Sequence, residues 1–281
     1  MHYDYTATAL ALGGVLNHPD GTTTTIPSLA SVHLAPTGGD GETDVSNYDR
    51  DNVSFSLARS SVFGAESGYR TFTSGSEVLI KDLNLFGRIQ ATRLFMNVTS
   101  TRIVGDDETA TKSHPDNAHF KMQAQIVGLR IDGTYVIPEF DEPLSDCLTY
   151  EQFTNRISGD SVTYAKRFGV DTEELTDAVA TNVQPIHGSF LSALRHAPSG
   201  QLGPLKGFTL PVKNFGYVHF GEMDVRPGRR RMNLLRIEFD MGLTFMGSAF
   251  GPASTRVAAA TSTTGSMTLL SLDGNGAPSW P

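Results

Sequence analysis

The sequence has 281 residues but only one cysteine and one tryptophan. Lone Cys147 can close no internal disulfide and supply no four-thiolate zinc site. Apolar runs stay well short of the 18 or more residues a membrane helix needs, which predicts no membrane span. Charge is also scarce: 19% of residues are charged and the net charge is −8, which argues against a general phosphate-binding surface and so against nucleic acid. Neither a Gly-x-Ser-x-Gly elbow nor a catalytic-cysteine signature occurs. The start around His2 and Asp4 lacks the basic segment and cleavage site of a secretory leader. What remains is 39% hydrophobic residues spread along the whole chain, enough for a sizeable core and too many for a disordered protein.

Those residues alternate. Leu235, Ile237, Phe239, Met241, Leu243 and Phe245 interleave with Arg236, Glu238, Asp240, Gly242 and Thr244. Val53–Leu57 and Leu94–Val98 alternate likewise, and Tyr3–Leu12, Val78–Phe86, Phe208–Val212, Tyr217–Met223 and Met267–Leu272 are further strand candidates. The apolar phase of Phe120, Met122, Ala124 and Ile126 switches to Val127, Leu129 and Ile131, predicting a bulge near Ile126. Gly, Pro, Asn and Asp clusters punctuate the runs. The pattern predicts an all-β fold, an antiparallel jelly-roll-like sandwich forming one domain over residues 1–281. A helical insertion is expected at about 148–197. Thr149 caps its first helix, Ser161–Phe168 forms a second, Asp171 with Glu174 starts a third, and Phe190–His196 adds a last turn.

Three groups of residues suggest chemistry. Asp40, Asp44, Asp49 and Asp51, with Glu42, crowd a Gly-rich stretch, and Asp106, Asp107 and Asp116, with Glu108, crowd another. Oxygen-rich loops of this kind suit calcium; solvated hairpin loops are the alternative. Among the histidines, His114 and His119 flank Pro115, and His219 stands three residues before Glu222. On a regular strand His219 and Glu222 point to opposite faces, so both reach one metal only through a bulge at Gly221; a structural histidine hydrogen-bonded to a neighbouring loop is the favoured reading. Arg229, Arg230 and Arg231 follow a Pro-Gly turn and offer bidentate donors to an anion or a partner's carboxylates, or simply guard a strand edge.

The opening Tyr5–Gly14 and the following Ile26–Val32 resemble the N-terminal part of bacterial exported "choice-of-anchor" surface proteins, over about the first third of the chain. The resemblance implies a β-rich surface module, and it carries no catalytic residue to any position here. The chain departs from that pattern in ending at Ser279-Trp280-Pro281, with neither a sorting motif nor a C-terminal apolar helix.

Together these readings predict a non-enzymatic, extracellular or cell-surface structural or adhesive protein. It is expected to form a homo-oligomer; Tyr3–Leu12 and Met267–Leu272 are candidates for strands donated between subunits, with pairing within one subunit as the favoured alternative for each. The alternative is a secreted carbohydrate-binding or carbohydrate-active protein recognising a surface glycan, with Tyr69, Phe72, Tyr135, Tyr217 and Trp280 as platforms. A phage or virion structural protein fits the composition almost as well.

Overall fold

The computed structural model describes residues 2–17, 22–103, 118–147, 149–181, 185–242 and 262–279. Two antiparallel sheets pack face to face. The first runs β10 (Ile186–Ser189), β13 (Gly216–Arg226), β14 (Arg229–Gly242), β15 (Ser262–Ser279), β1 (His2–Asn17), β2 (Thr23–His33), with β12 (Thr209–Val212) also on β13. The second runs β11 (Leu191–His196), β9 (Thr134–Phe140), β8 (Arg130–Ile131), β6 (Ile89–Ile103), β5 (Thr71–Leu85), β4 (Val53–Gly68), β3 (Gly39–Arg50), with β7 (Ala118–Val127) also on β6. Each segment expected from alternation falls on a strand, except that Phe86 and Phe208 lie in adjoining turns and Gly128–Leu129 separate β7 from β8; Leu243 and Phe245 lie outside the described residues.

β1 and β15 pair with each other from His2↔Ser279 to Asn17↔Thr264, and their other edges are taken by β2 and β14. This is the favoured pairing within one subunit, in place of an exchange between subunits. Over Thr8–Asn17 of β1 and Ser262–Gly274 of β15 the strands have neighbours on both sides, so these stretches have no free row of backbone groups to offer.

The phase switch foreseen near Ile126 falls at Val127 and Gly128, where Gly128 takes a left-handed φ of 68°. It belongs to a larger pattern. Across the second sheet, Asn47 (φ 53°), Ser56, Asp82 (φ 53°), Thr92 and Gly128 lie in one transverse row. Across the first sheet, Ala30 (φ 46°), Ala11, Leu270 (φ 50°), Leu234 and Gly221 (φ 59°) form another. A left-handed residue in every second strand breaks the alternation of the whole row. In the first sheet two consecutive residues then face inward, as with Leu234–Leu235 and Leu269–Leu270, all fully buried. In the second, two consecutive residues face outward, as with Lys81–Asp82 and Thr92–Arg93. Doubling inside on one sheet and outside on the other lets both sheets change phase together.

Between β9 and β10 lie α1 (Glu142–Ser145), α2 (Tyr150–Gly159), α3 (Ser161–Phe168) and α4 (Thr172–Thr181). Thr149 and Gln152 form a full capping box on α2, and the Asp171 carboxylate accepts the Glu174 N–H at 2.7 Å. Phe153, Ile157, Tyr164 and Phe168 bury the inner side of this layer. The helical region is therefore 142–181, and the expected turn at Phe190–His196 is strand β11 instead. A register shift between Leu191 and Ala193 spaces the apolar residues 190, 191 and 194 as a helix would, which explains the misreading.

Candidate functional site

Beginning at β13, Val218 and Phe220 face the core, then Gly221 turns left-handed, and Met223 and Val225 face the core in the opposite phase. The bend brings His219 and Glu222 onto the same outer face, as the Gly221 expectation required. Arg236 on β14 donates to Glu222 from Nε at 2.7 Å and from Nη2 at 2.6 Å, and its Nη1 also bonds Glu238. Burial lowers the pKa of Arg236, but the two carboxylates more than offset this and raise it. The Arg236 hydrogen bond holds Glu238 below the usual carboxylate range.

His219 Nδ1 lies 2.9 Å from Thr209 Oγ1 on β12, and its Nε2 is 3.4 Å from a Glu238 oxygen. Burial, and then the Arg236 charge, depress its pKa, so the ring is held neutral. Farther along the face, His187 Nδ1 sits 2.8 Å from Asp224 Oδ1; that bond raises the histidine pKa and lowers the aspartate pKa. His219 is thus a hydrogen-bonded histidine, with its partner Thr209 on strand β12 rather than on the expected loop. Among the described residues no group of three or more His, Cys, Asp or Glu is arranged to hold a metal ion.

The other singled-out residues scatter. Asp40, Asp44 and Asp49 stand exposed on β3, an edge strand where a loop was expected. Asp51 and Asn52, with φ of 53° and 61°, close the two-residue β3–β4 hairpin between Arg50 and Val53, a turn that needs left-handed residues at both positions. Asp106, Asp107, Glu108, His114 and Asp116 lie outside the described residues, and His119 is exposed on β7.

The arginine trio divides. Arg229 pairs with Asp273 (Nε to Oδ2, 3.1 Å), and Arg231 is exposed opposite Asp224 and Asp273. Arg230 is buried: Nη2 donates to the Cys147 carbonyl at 2.5 Å, and the guanidinium lies 4.8 Å from the Phe120 ring centre and 5.7 Å from that of Phe153. Arg230 therefore pins the helical layer to the sandwich, which corrects its reading as a contact for an external anion or partner. Cys147 is itself buried, and burial raises its thiol pKa, away from nucleophilic duty.

The aromatic platforms do not share one concave face. Tyr69 and Phe72 sit where Thr71 meets Ile103, whereas Tyr135 sits by Ile131, which pairs with Ile89 at the far end of β6. At ~3.3 Å per residue the two ends are about 45 Å apart. Phe72 is already stacked on Tyr3, with ring centres 4.2 Å apart, and Trp280 lies outside the described residues. Tyr217 is the platform on the β13–β14 face. It is 42% exposed and lines a cleft of about 360 Å3 with Asp240, Lys213, Asn214 and Gln201. Sequence reading missed Asp240 and the Arg236–Glu222 pair as site residues. The phase change between Phe220 and Met223 is the signal that would have placed them together.

Fold and face define an antiparallel two-sheet β-sandwich with a helical insertion and an outer polar face on β12–β14. The chain belongs to the family described as Domain of unknown function (DUF8256), whose model matches residues 2–184, more than half of the chain. The polar face on β12–β14 lies beyond the matched stretch. No curated protein and no solved structure matches the chain. Among the described residues no helix is long and apolar enough to cross a membrane.

Proposed function

We propose that this protein is a non-enzymatic structural or adhesive module of the cell exterior that associates with copies of itself. The observation that carries this reading is strand length. β1, β4, β5, β6, β14 and β15 run 14–18 residues, against about 5–6 in an ordinary sheet. Strands of that length suit a protein whose task is to span and hold distance. The outer charged groups of β13 and β14 point the same way: Glu222, Arg236 and Glu238 are committed to one another rather than poised for proton transfer.

The edge suited to self-association is β2. Its eleven residues, Thr23–His33, include none of Asp, Glu, Lys or Arg, and one side of the strand has no partner among the described strands. The neighbouring edge β3 is acidic and repels a copy of itself. The test is negative-stain microscopy and light scattering on the purified chain, before and after chelator. Ordered assemblies are expected. A monomer at every concentration would overturn the reading, and assemblies that dissolve in chelator would assign calcium to the acidic segments.

A second reading, recognition of a surface glycan, is favoured by the Tyr217 cleft.

A further inference from the structure

Most charged side chains of the β12–β14 face are spent on one another. Around the cleft at its end they are not. Among the described residues, Tyr217, Asp240, Lys213, Asn214 and Gln201 line the cleft without a side-chain hydrogen bond to the protein. A face that neutralises its charges elsewhere but leaves one acid, one ammonium and two amides unspent beside a half-exposed ring has the makings of a binding site.

The cleft is also built rigidly. Its outer wall is pinned to β12 by Lys213 N–H to the Gln201 carbonyl at 2.8 Å and Gly203 N–H to the Pro211 carbonyl at 2.9 Å. Beneath it, Arg88 from the opposite sheet donates to the carbonyls of Lys213 and Asn214, both at 2.7 Å. The same guanidinium is fixed by Asp132 through bonds of 2.6 and 2.7 Å and lies 4.7 Å from the centre of the buried Phe215 ring. A loop held through both its carbonyls does not have to be ordered when a ligand arrives, which removes one cost of binding.

We propose that this cleft binds a neutral pyranose, the end or side residue of a surface glycan. The Tyr217 ring offers a flat apolar platform for the C–H face of the sugar. Asp240 accepts from hydroxyls, Lys213 donates to them, and Asn214 and Gln201 do both, which matches the alternating donors and acceptors of vicinal hydroxyls. With one acid and one base, the lining carries no net charge to select an anionic sugar. The volume, at the low end of the ~300–1,000 Å3 of ligand sites, suits one ring rather than a long chain segment. This inference rests on the glycan reading above.

The experiment is a printed array of neutral and acidic oligosaccharides probed with the wild-type chain, followed by titration of the strongest neutral binder against three variants. Tyr217→Ala and Asp240→Asn are each expected to weaken binding about tenfold, while Tyr217→Phe keeps the platform and stays close to wild type. Equal melting temperatures show that the variants are folded. Neutral-glycan binding that survives both Tyr217→Ala and Asp240→Asn would overturn this site while leaving the glycan reading standing. Binding confined to acidic glycans would overturn the neutral specificity. Silence across the array would overturn site and glycan reading together.

Discussion

Arg236 grips Glu222 through two hydrogen bonds, at 2.7 and 2.6 Å, from the adjacent strand of the same sheet. The Glu222 side chain is 5% exposed and that of Arg236 24%, so water does little to screen the pair. Removing one partner strands the other. Glu222→Ala is expected to cost about 2–4 kcal/mol of stability, measured by urea unfolding. Glu222→Gln, which keeps one acceptor, should cost less.

Arg230 gives a second prediction. Arg230→Ala is expected to cost about 3 kcal/mol and to open residues 142–181 to limited proteolysis before the sheets. Arg230→Lys should rescue little, because an ammonium lacks the flat face that lies over Phe120 and Phe153.

How much of this was legible in the sequence differs by element. The helix caps at Thr149 and Asp171 were readable because capping is local chemistry. The long strands were readable because each has one buried face. β3 was not: of its partly buried residues, Gly41, Thr43, Val45 and Tyr48, only two are large and apolar, so alternation is faint and its acids and glycines read as a loop. β11 was hidden by its bulge. Arg230 was indistinguishable from Arg229 and Arg231, since only the pairing with β15 and the helical layer above decides which guanidinium is enclosed. One phase switch was visible at Ile126, but the row it belongs to exists only once strand registers are known.

The two bonded histidines act oppositely with pH. The raised pKa of His187 means its pairing with Asp224 is fully stabilising below the ordinary histidine value of 6.5 and fades as pH rises through the folded value. Asp224, with its lowered pKa, loses its share only as acid carries pH below its ordinary 3.8. The lowered pKa of His219 means the unfolded chain takes up its proton first, so stability falls as pH drops below 6.5. Melting temperatures from pH 5 to 8 check this. His219→Gln should flatten the acidic side of the profile, and His187→Gln the side above pH 6.5. If either variant keeps the wild-type slope on its own side, that assignment is wrong.

Gly221 supplies the bend that sets His219 beside Glu222. At φ 59° an added methyl is strained, and it would meet the Phe190 ring at 3.2 Å. Gly221→Ala is expected to destabilise the protein by about 1–3 kcal/mol and to raise the His219 pKa toward its ordinary value as the Arg236 cluster loosens. Calorimetry reads the first effect and histidine NMR titration the second.

The acids of β3 are expected to act as edge protection. Replacing Asp40, Glu42 and Asp44 together with Thr should leave the melting temperature within about 1 kcal/mol equivalent of wild type yet promote aggregation, followed by light scattering. A calcium-dependent melting temperature that disappears in the triple variant would instead assign a metal to this strand.

The pairing of β1 with β15 has a consequence for synthesis. β1 leaves the ribosome about 260 residues before its central neighbour β15 is made. Until then the first sheet exists as two separate fragments, β1–β2 on one side and β10, β12, β13 and β14 on the other, with Ala7, Ala9, Leu12 and Leu235 lacking the strand that unites them. The second sheet, whose β3–β6 are successive hairpins, has no such wait and is the natural template on which the late strand docks. A ribosome that stalls shortly before residue 262 would therefore hold a half-built sandwich with its seam open, a natural target for chaperones.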